Sequence, residues 1–348
     1  SDIMKIRFGV VGIKGFGSFH IKAVVNNPAA ELYALCDIDE DAVKKAAAEH
    51  GCKYYTDYNE MFADGDIDAV ILATPDQIHR EMAVAALNAK KHVLCEKPLA
   101  LHNDDCAAML EAGRKNGKFL MVGQECRCAP AFVLAKKIYD SGILGDLFFV
   151  ESEYAHDYSA MPPHWRMDKE NPRHPVTGGG CHAIDLLRWF AGNPIEAYGY
   201  SNHKSLSSDW PCDDSAIAVF KFENDVMGKV FVSTGCKRSY TMRTVIYGTK
   251  GTIVCDNTSP ELTLYVDEFE GKKELFGKEM KTVGHTIPVE IDNHNVPMEL
   301  DEFCKVINGE KELEISGEEG AATVAAAEAV ILSAEEGRPV KIDYSFMD

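Results

Sequence analysis

The sequence has few of the features that mark membrane proteins or nucleic-acid-binding proteins. No apolar run approaches the roughly 18 residues of a membrane-spanning helix, and the first residues show no long apolar core of a secretion signal. Basic residues are outnumbered, 36 against 55 acidic ones, and the net charge of −19 disfavours an anionic partner. We therefore expect a cytoplasmic protein without nucleic-acid or membrane partners.

Closely spaced cysteines are almost missing as well. The chain has 11 cysteines, an odd and scattered set, and its one close pair is Cys126 and Cys128. A one-residue spacing is neither that of redox motifs nor that of zinc sites. The pattern predicts free thiols in a reducing compartment and no bound metal.

Internal repeats and low-complexity linkers are also absent, although 348 residues suffice for two domains. Residues 4–124 alternate between apolar, strand-like runs and helical patterns, which predicts a parallel, doubly wound sheet. From about residue 125, consecutive strand-like runs with short turns predict an antiparallel or mixed sheet, closed by two helices. The predicted fold class is therefore α/β. A Rossmann-type domain at 4–124 is followed by an α+β domain at 125–348 with a large, mainly antiparallel open sheet.

A glycine-rich turn follows the first predicted strand. The apolar run Ile6–Val11 leads into Gly12, and Gly15 and Gly17 precede a helical pattern. A dinucleotide pyrophosphate binds the backbone N–H groups at such a helix start, where a Cβ would keep it away. Lys14 breaks the strict G-x-G-x-x-G spacing, so either the middle glycine is displaced or the turn has another shape.

Polar residues follow the later predicted strands of this domain. Asp37 ends the second strand, where an acidic residue of dinucleotide-binding sheets bonds the adenosine ribose hydroxyls. In a second interpretation Asp37 is a solvated residue that caps the helix from Asp39 onward. Ligands bind at the carboxyl ends of parallel strands, and further polar positions at such ends are Thr74, Pro75, Glu96, Lys97 and Gln124.

Another polar segment lies in the later domain. Residues 177–181 contain three consecutive glycines and are predicted to form a loop that leads into a helix. His182 and Asp185 lie three residues apart on one face of that helix. The pair suits a proton relay, but it also suits a helix-start histidine with a capping-type acid. The sequence alone leaves both interpretations open.

Four short motifs together resemble the glucose–fructose oxidoreductase and inositol dehydrogenase family (Gfo/Idh/MocA). In chain order they read VVG (10–12), ATPDQIH (73–79), KHVLCEKPLA (91–100) and GGGCHAIDLLRW (178–189). The EKP block at 96–98 is the most specific, and the resemblance covers nearly the whole chain. It implies a first domain that binds a nicotinamide cofactor. It also implies a second domain that binds substrate and forms a homodimer or homotetramer through the open face of its sheet.

The resemblance also implies catalytic roles. Lys97 is similar to the lysine that contacts the substrate hydroxyl and assists proton transfer, and His182 to the acid–base histidine. Asp185 is carried over as a substrate-binding or orienting residue. Many members have an aspartate four residues before the histidine, where this chain has Gly178, so the relay is not transferred whole. The implied enzyme is an NAD(P)-dependent oxidoreductase that transfers a hydride to or from a sugar, polyol or related compound.

The remaining expectations concern ligands. The positions expected to bind the cofactor are Gly12, Lys14, Gly15, Phe16, Gly17, Asp37, Thr74, Pro75, His79, Glu96, Lys97 and Gln124. NAD is expected rather than NADP, because the Asp37 carboxylate repels a 2′-phosphate. The positions expected to bind substrate are Lys97, Trp165, Arg166, His182 and Asp185, although segments like the one at 165–166 also serve oligomer contacts. Two other functions stay open: an NAD-dependent glycosidase that uses transient oxidation, and a non-catalytic NAD-binding protein.

Overall fold

The computed structural model describes residues 4–161, 164–267, 273–276, 278–280 and 282–348. Its strands, numbered in chain order, are β1 (Ile6–Val11), β2 (Ala30–Cys36), β3 (Lys53–Tyr55), β4 (Ala69–Leu72), β5 (His92–Glu96), β6 (Leu120–Gly123), β7 (Leu147–Ala155), β8 (Glu196–Asn202), β9 (Ser215–Lys221), β10 (Met227–Ser233), β11 (Thr244–Gly248), β12 (Gly251–Cys255), β13 (Glu261–Asp267), β14 (Lys273–Leu275), β15 (Lys278–Met280), β16 (Thr282–Pro288) and β17 (Val340–Lys341). Its α-helices are α1 (Phe16–Asn26), α2 (Glu40–His50), α3 (Tyr58–Phe62), α4 (His79–Asn88), α5 (Asn103–Asn116), α6 (Pro130–Asp140), α7 (Pro175–Gly178), α8 (Gly180–Ala191), α9 (Val296–Ile307) and α10 (Gly317–Glu336). Within these ranges, no helix is long and apolar enough to span a bilayer.

The chain forms two compact units, and the first is discontinuous in sequence. It comprises residues up to Glu125 together with Asn295–Val324 and Tyr344–Asp348, while the second comprises Cys126–His294 and Ala325–Asp343. The predicted domain ranges, 4–124 and 125–348, instead place both of these later segments in the second domain. Packing explains why those segments join the first unit. Phe303 of α9 lies against Phe8 of β1 with ring centroids 6.1 Å apart, and both side chains are fully buried.

The sheet of the first unit is parallel throughout. Within the described residues its strand order is β3-β2-β1-β4-β5-β6, and every neighbouring pair runs in the same direction. Residues of β4 and β6 are buried on both faces, as expected of strands covered by helices on both sides. The predicted doubly wound, Rossmann-type sheet is confirmed.

The turn after β1 shows how the irregular glycine spacing is accommodated. Gly17 lies so close to the preceding strand end that a Cβ there would stand 1.8 Å from the carbonyl oxygen of Gly12. Gly15 has a φ of 54°, a left-handed conformation that favours glycine. The strict motif would have its middle glycine at position 14. Here Gly15 provides the left-handed residue of the turn instead, and Lys14 is exposed.

The second unit is built on a larger, mixed sheet. Its order in the described chain is β16-β13-β12-β11-β7-β10-β9-β8-β17, and all neighbours are antiparallel except β7 and β10. One face packs against α6 and α8 to form a hydrophobic core. Along β9, buried and exposed residues alternate strictly, so the opposite face of this strand is open. The predicted, mainly antiparallel open sheet is confirmed.

The predicted loop at 177–181 is wrong, because the segment is helical. Pro175 begins α7, and Nδ1 of His174 accepts a hydrogen bond from the N–H of Val176, which caps the helix start. The glycines serve packing within this unit, since a Cβ on Gly179 would lie 2.0 Å from a ring carbon of Tyr154. Pro162 and Pro163, which precede the predicted substrate residue Trp165 in the sequence, lie outside the described residues.

Candidate functional site

The carboxyl ends of the first sheet bring the predicted cofactor positions onto one edge. Register places Val11 beside Cys36 and Leu72, and Leu72 beside Cys95. The residues that follow these strands therefore emerge side by side. They include Gly12, Asp37, Thr74, Pro75 and Lys97; Glu96 is the last residue of β5, and Gln124 follows the neighbouring β6. The parallel arrangement alone accounts for this convergence.

Asp37 binds the turn rather than the next helix. Its Oδ2 accepts a hydrogen bond of 3.1 Å from the N–H of Ile13, and its Oδ1 accepts one of 2.9 Å from the N–H of Asp39. The N-cap of α2 is Asp39, which accepts from the N–H of Ala42 and pairs with Lys14 at 2.5 Å. The capping interpretation thus belongs to Asp39. Asp37 is half-buried at the end of β2, and each oxygen keeps acceptor capacity for a ribose hydroxyl.

Gln124 has the clearest unfilled bonding capacity at this edge. Its side chain is 1% exposed, and neither the nitrogen nor the oxygen of its amide has a hydrogen-bond partner among the described residues. Buried amides are almost always bonded, and leaving one unsatisfied costs about 1–3 kcal/mol. A polar ligand would satisfy it. Together with the close-packed glycine turn, Gln124 shows that the residues present fit a dinucleotide.

His79, predicted to bind the cofactor, is enclosed and holds two loops together. Nε2 lies 2.9 Å from the carbonyl oxygen of Thr74, and Nδ1 lies 2.9 Å from that of Pro98. Two carbonyl acceptors require a hydrogen on each ring nitrogen. Burial lowers the pKa of His79, but Cys95, Asp76 and the Thr74 carbonyl outweigh it and raise this pKa to about 10. The ring thus positions the segments after β4 and β5.

Lys97 follows directly on β5 and is half-buried. Its backbone N–H donates to Oε2 of Glu96 at 3.2 Å, and Pro98 follows through a cis peptide bond. The Glu96 carboxyl, also predicted to meet the cofactor, is 8% exposed and its Oε1 lies 2.5 Å from Nε2 of His20. Burial raises the pKa of Glu96 to about 7. Glu96 therefore faces the interior of the first unit, while Lys97 lies at the strand end.

In the second unit, His182 is the third residue of α8 and is 1% exposed. Its Nδ1 lies 3.2 Å from Sγ of Cys126, and its ring stacks on Tyr154 at a centroid distance of 6.2 Å. The ring of His294 is 5.7 Å away. Nothing in the sequence spacing of Cys126 and Tyr154 links them to His182, so neither residue was predicted as its neighbour.

Asp185 forms a buried ion pair with arginines. Asp185 is 0% exposed. Arg127 donates two hydrogen bonds of 2.8 Å to it, from Nε to Oδ2 and from Nη2 to Oδ1. Arg188 adds a contact of 3.5 Å. The Arg127 guanidinium also lies 5.8 Å from the ring of Trp189. This bidentate geometry favours a structural role for Asp185, whereas its predicted contact with substrate stays a prediction.

The Asp185→Asn variant separates these two roles. The substitution leaves Arg127 and Arg188 buried with a neutral partner, so we expect the free energy of unfolding in urea to fall by about 3–5 kcal/mol. Asp140→Asn is the matched control, because this exposed acid makes an i,i+4 pair with Lys136; its free energy of unfolding should change by no more than about 0.5 kcal/mol. Unchanged stability together with lost turnover would instead support the substrate contact.

The predicted substrate residues Trp165 and Arg166 lie in a polar, aromatic part of the second unit. The Arg166 guanidinium stacks 4.2 Å from the Trp165 ring, and that of Arg173 lies 5.1 Å from the same ring. Arg166 and Arg173 also line a small cleft with Tyr158 and Trp210. Aromatic faces beside guanidinium donors form a surface suited to a hydroxylated ligand.

Comparisons with known proteins agree with both units. Residues 6–124 match the model described as an oxidoreductase family with an NAD-binding Rossmann fold, and 132–254 match the GFO/IDH/MocA C-terminal domain. Inositol 2-dehydrogenase 2 of Saccharopolyspora erythraea is 31% identical over 254 residues, covering 72% of this chain and 73% of the relative. Myo-inositol 2-dehydrogenase of Thermotoga maritima is 26% identical over 355 residues, covering 97% and 99%. A solved structure of the WlbA dehydrogenase from Bordetella pertussis, in complex with NADH and UDP-GlcNAcA, is 25% identical with a TM-score of 0.82, covering 97% of this chain and 99% of that one.

Proposed function

We propose that this chain, which belongs to the Gfo/Idh/MocA oxidoreductase family, is an NAD-dependent dehydrogenase of a sugar, a polyol or a related hydroxylated compound. One observation carries the proposal. The carboxyl edge of the first sheet combines the dinucleotide turn with Asp37, the unsatisfied Gln124 amide and Lys97. These groups suit a nicotinamide cofactor and a hydroxyl group that loses a hydride.

The proposed reaction divides two tasks between two side chains. When bound, NAD supplies the acceptor for the hydride. We assign Lys97 to the substrate oxygen, where its ammonium group stabilises negative charge that develops as the hydroxyl proton leaves. We assign His182 to that proton, because a neutral imidazole is a suitable base near neutral pH. Reduction uses the same groups in reverse.

The substrate class is supported by the relatives and by the second unit. Two relatives are named for inositol, a cyclic polyol. In this chain, Trp165, Arg166 and Arg173 offer an aromatic face and guanidinium donors, which suit a ring that carries many hydroxyl groups.

A substrate panel tests the proposal. The purified protein is given sugars, inositols and sugar acids, each with NAD and with NADP, and the absorbance of the reduced cofactor is followed. We expect at least one compound to reduce NAD. Release of free sugar from glycosides without a change in absorbance would indicate an NAD-dependent glycosidase. Binding of NAD without turnover of any compound would indicate a non-catalytic protein.

The cofactor preference gives a separate prediction. The Asp37 carboxylate accepts the N–H of Ile13 and stands where ribose hydroxyls bind, so a 2′-phosphate would meet a negative charge. Lys14, the nearby cation, is paired with Asp39. We expect calorimetric titration to show NAD binding at least about tenfold more tightly than NADP, or ~1.4 kcal/mol. Asp37→Asn should reduce the ratio of the NADP and NAD dissociation constants. Glu40→Gln at the exposed start of α2 should leave this ratio unchanged. Tighter binding of NADP by the wild type would contradict the assignment.

We also propose a cytoplasmic homodimer or homotetramer. The cysteines are all free thiols, and Cys36, Cys95 and Cys126 are among those that are buried, which suits a reducing compartment. The open face of the second sheet exposes apolar side chains, including Ile217 at 44% and Val219 at 55%. Light scattering in solution measures the number of chains directly.

A further inference from the structure

Four ionisable side chains from distant parts of the sequence meet inside the first unit. They are His20 of α1, Glu96 at the end of β5, Glu125 after β6 and Glu299 of α9. Each offers a ligand atom, and these atoms all lie within 4.8 Å of one another. The residues are 1%, 8%, 1% and 0% exposed, respectively, so the cluster is shut off from solvent. The proposed reaction uses none of these four carboxyl and imidazole groups.

The cluster places three carboxyl groups against one imidazole. The imidazole of His20 can carry at most one positive charge, and its Nε2 already lies 2.5 Å from Oε1 of Glu96. Three buried carboxylates carry more negative charge than one imidazole can balance, and each loses its hydration, so the excess charge must be neutralised. Two solutions remain: protons shared among the carboxyl groups, or a bound cation.

Glu299 distinguishes between these solutions. Both of its carboxyl oxygens are buried, and neither has a hydrogen-bond partner in the part of the chain that the structure describes. A protonated carboxyl group donates its hydrogen to an acceptor wherever one is within reach. Glu299 instead directs an oxygen into the cluster without bonding to Glu96 or His20, which bond each other at 2.5 Å. Such an oxygen has the position expected of a ligand to an ion.

We propose that His20, Glu96, Glu125 and Glu299 bind one divalent transition-metal ion of the Zn²⁺ or Mn²⁺ class. Imidazole nitrogen with carboxylate oxygen is the donor set for these ions, whereas Mg²⁺ and Ca²⁺ favour oxygen alone. Four protein ligands in a closed site are typical of a structural ion. The ion joins α9 to α1 and to the end of β5, and so fixes the backbone beside Lys97. It takes no part in hydride or proton transfer.

Metal analysis of the full chain tests the site first. The protein is stripped with a chelator, incubated separately with Zn²⁺, Mn²⁺, Mg²⁺ and K⁺, desalted and measured by inductively coupled plasma mass spectrometry and by thermal unfolding. We expect about one Zn²⁺ or Mn²⁺ per chain and a melting temperature at least about 5 °C above that of the stripped protein. A chain that retains neither ion, or whose melting temperature responds to K⁺ alone, would overturn the proposal.

Glu299→Gln then separates a cation from shared protons. Glutamine has the shape of a protonated glutamate, so shared protons predict an unchanged or higher melting temperature. The metal site predicts loss of the ion and loss of the metal-dependent stabilisation. Asp301→Asn on the same helix is the control, since this half-exposed acid pairs with Lys305 and should leave both readouts unchanged. Because the metal content of the wild type is measured independently of turnover, its outcome does not depend on the proposed dehydrogenase activity.

Discussion

The Lys97→Ala variant is expected to fold and to bind NAD, but to turn over substrate at least about a hundredfold more slowly than the wild type. Lys97 is half-buried at the end of β5, and Pro98 fixes the backbone that follows. The place of Lys97 at the carboxyl end of a parallel strand, where ligands bind, favours a role in ligand contact over a role in the hydrophobic core. Turnover is measured by the absorbance of the reduced cofactor, and folding by circular dichroism and thermal unfolding.

Lys91 is the matched control for Lys97. It lies just before the same strand and is 5% exposed, and its Nζ donates hydrogen bonds of 2.7 Å to the carbonyl oxygens of Asp64 and Ile67. Lys91→Ala should therefore lower the free energy of unfolding while the turnover of each folded molecule stays near the wild-type value. Near-normal turnover of Lys97→Ala would remove Lys97 from the mechanism.

The His182→Asn variant is expected to lose about a hundredfold or more in turnover, together with one ionisation in the pH–rate profile. A base must be neutral to accept a proton, and the ordinary pKa of histidine is about 6.5. The rate of substrate oxidation by the wild type should therefore increase with pH through an ionisation between about pH 6 and 8. The variant should lack this increase. Asparagine keeps a polar group beside Cys126 and Tyr154, so the fold should persist.

His174 provides the control for this variant. It caps α7 in the same part of the second unit, and burial lowers its pKa to about 4, below the range of the expected ionisation. His174→Asn retains a side chain that can cap a helix, so both rate and pH profile should stay close to those of the wild type. If His182→Asn keeps both the rate and the ionisation, the base lies elsewhere and Lys97 becomes the first candidate.

The sequence predicted the first sheet well because the information is local. Buried runs such as Ala69–Leu72 are apolar throughout and are bounded by turn residues, and Asn103–Asn116 ends at Gly117 in the left-handed conformation. Parallel pairing then places the strand ends on one edge, so the closeness of the predicted cofactor positions followed from the order of elements. The pairing of Asp37 with the N–H of Ile13 required only that this turn and β2 be neighbours.

Other features depend on contacts that no local pattern encodes. Three consecutive glycines predicted a loop, but packing of Gly179 against Tyr154 and the cap at His174 make the segment helical. The edge strand β16 was not predicted, because it contains Gly284 and ends at Pro288, and both residues weaken the strand pattern. The bond between Arg127 and Asp185 and the approach of Glu299 to His20 join distant residues, so neither could be read from spacing.

The discontinuity of the first unit has a consequence for folding during synthesis. The ribosome makes Cys126–His294 before it reaches α9, whose Phe303 covers Phe8 of β1. At typical elongation rates this delay lasts on the order of tens of seconds. During that time the nascent nucleotide-binding sheet keeps an apolar face uncovered. Chaperone access to the nascent chain is therefore most important before residue 303 emerges from the ribosome.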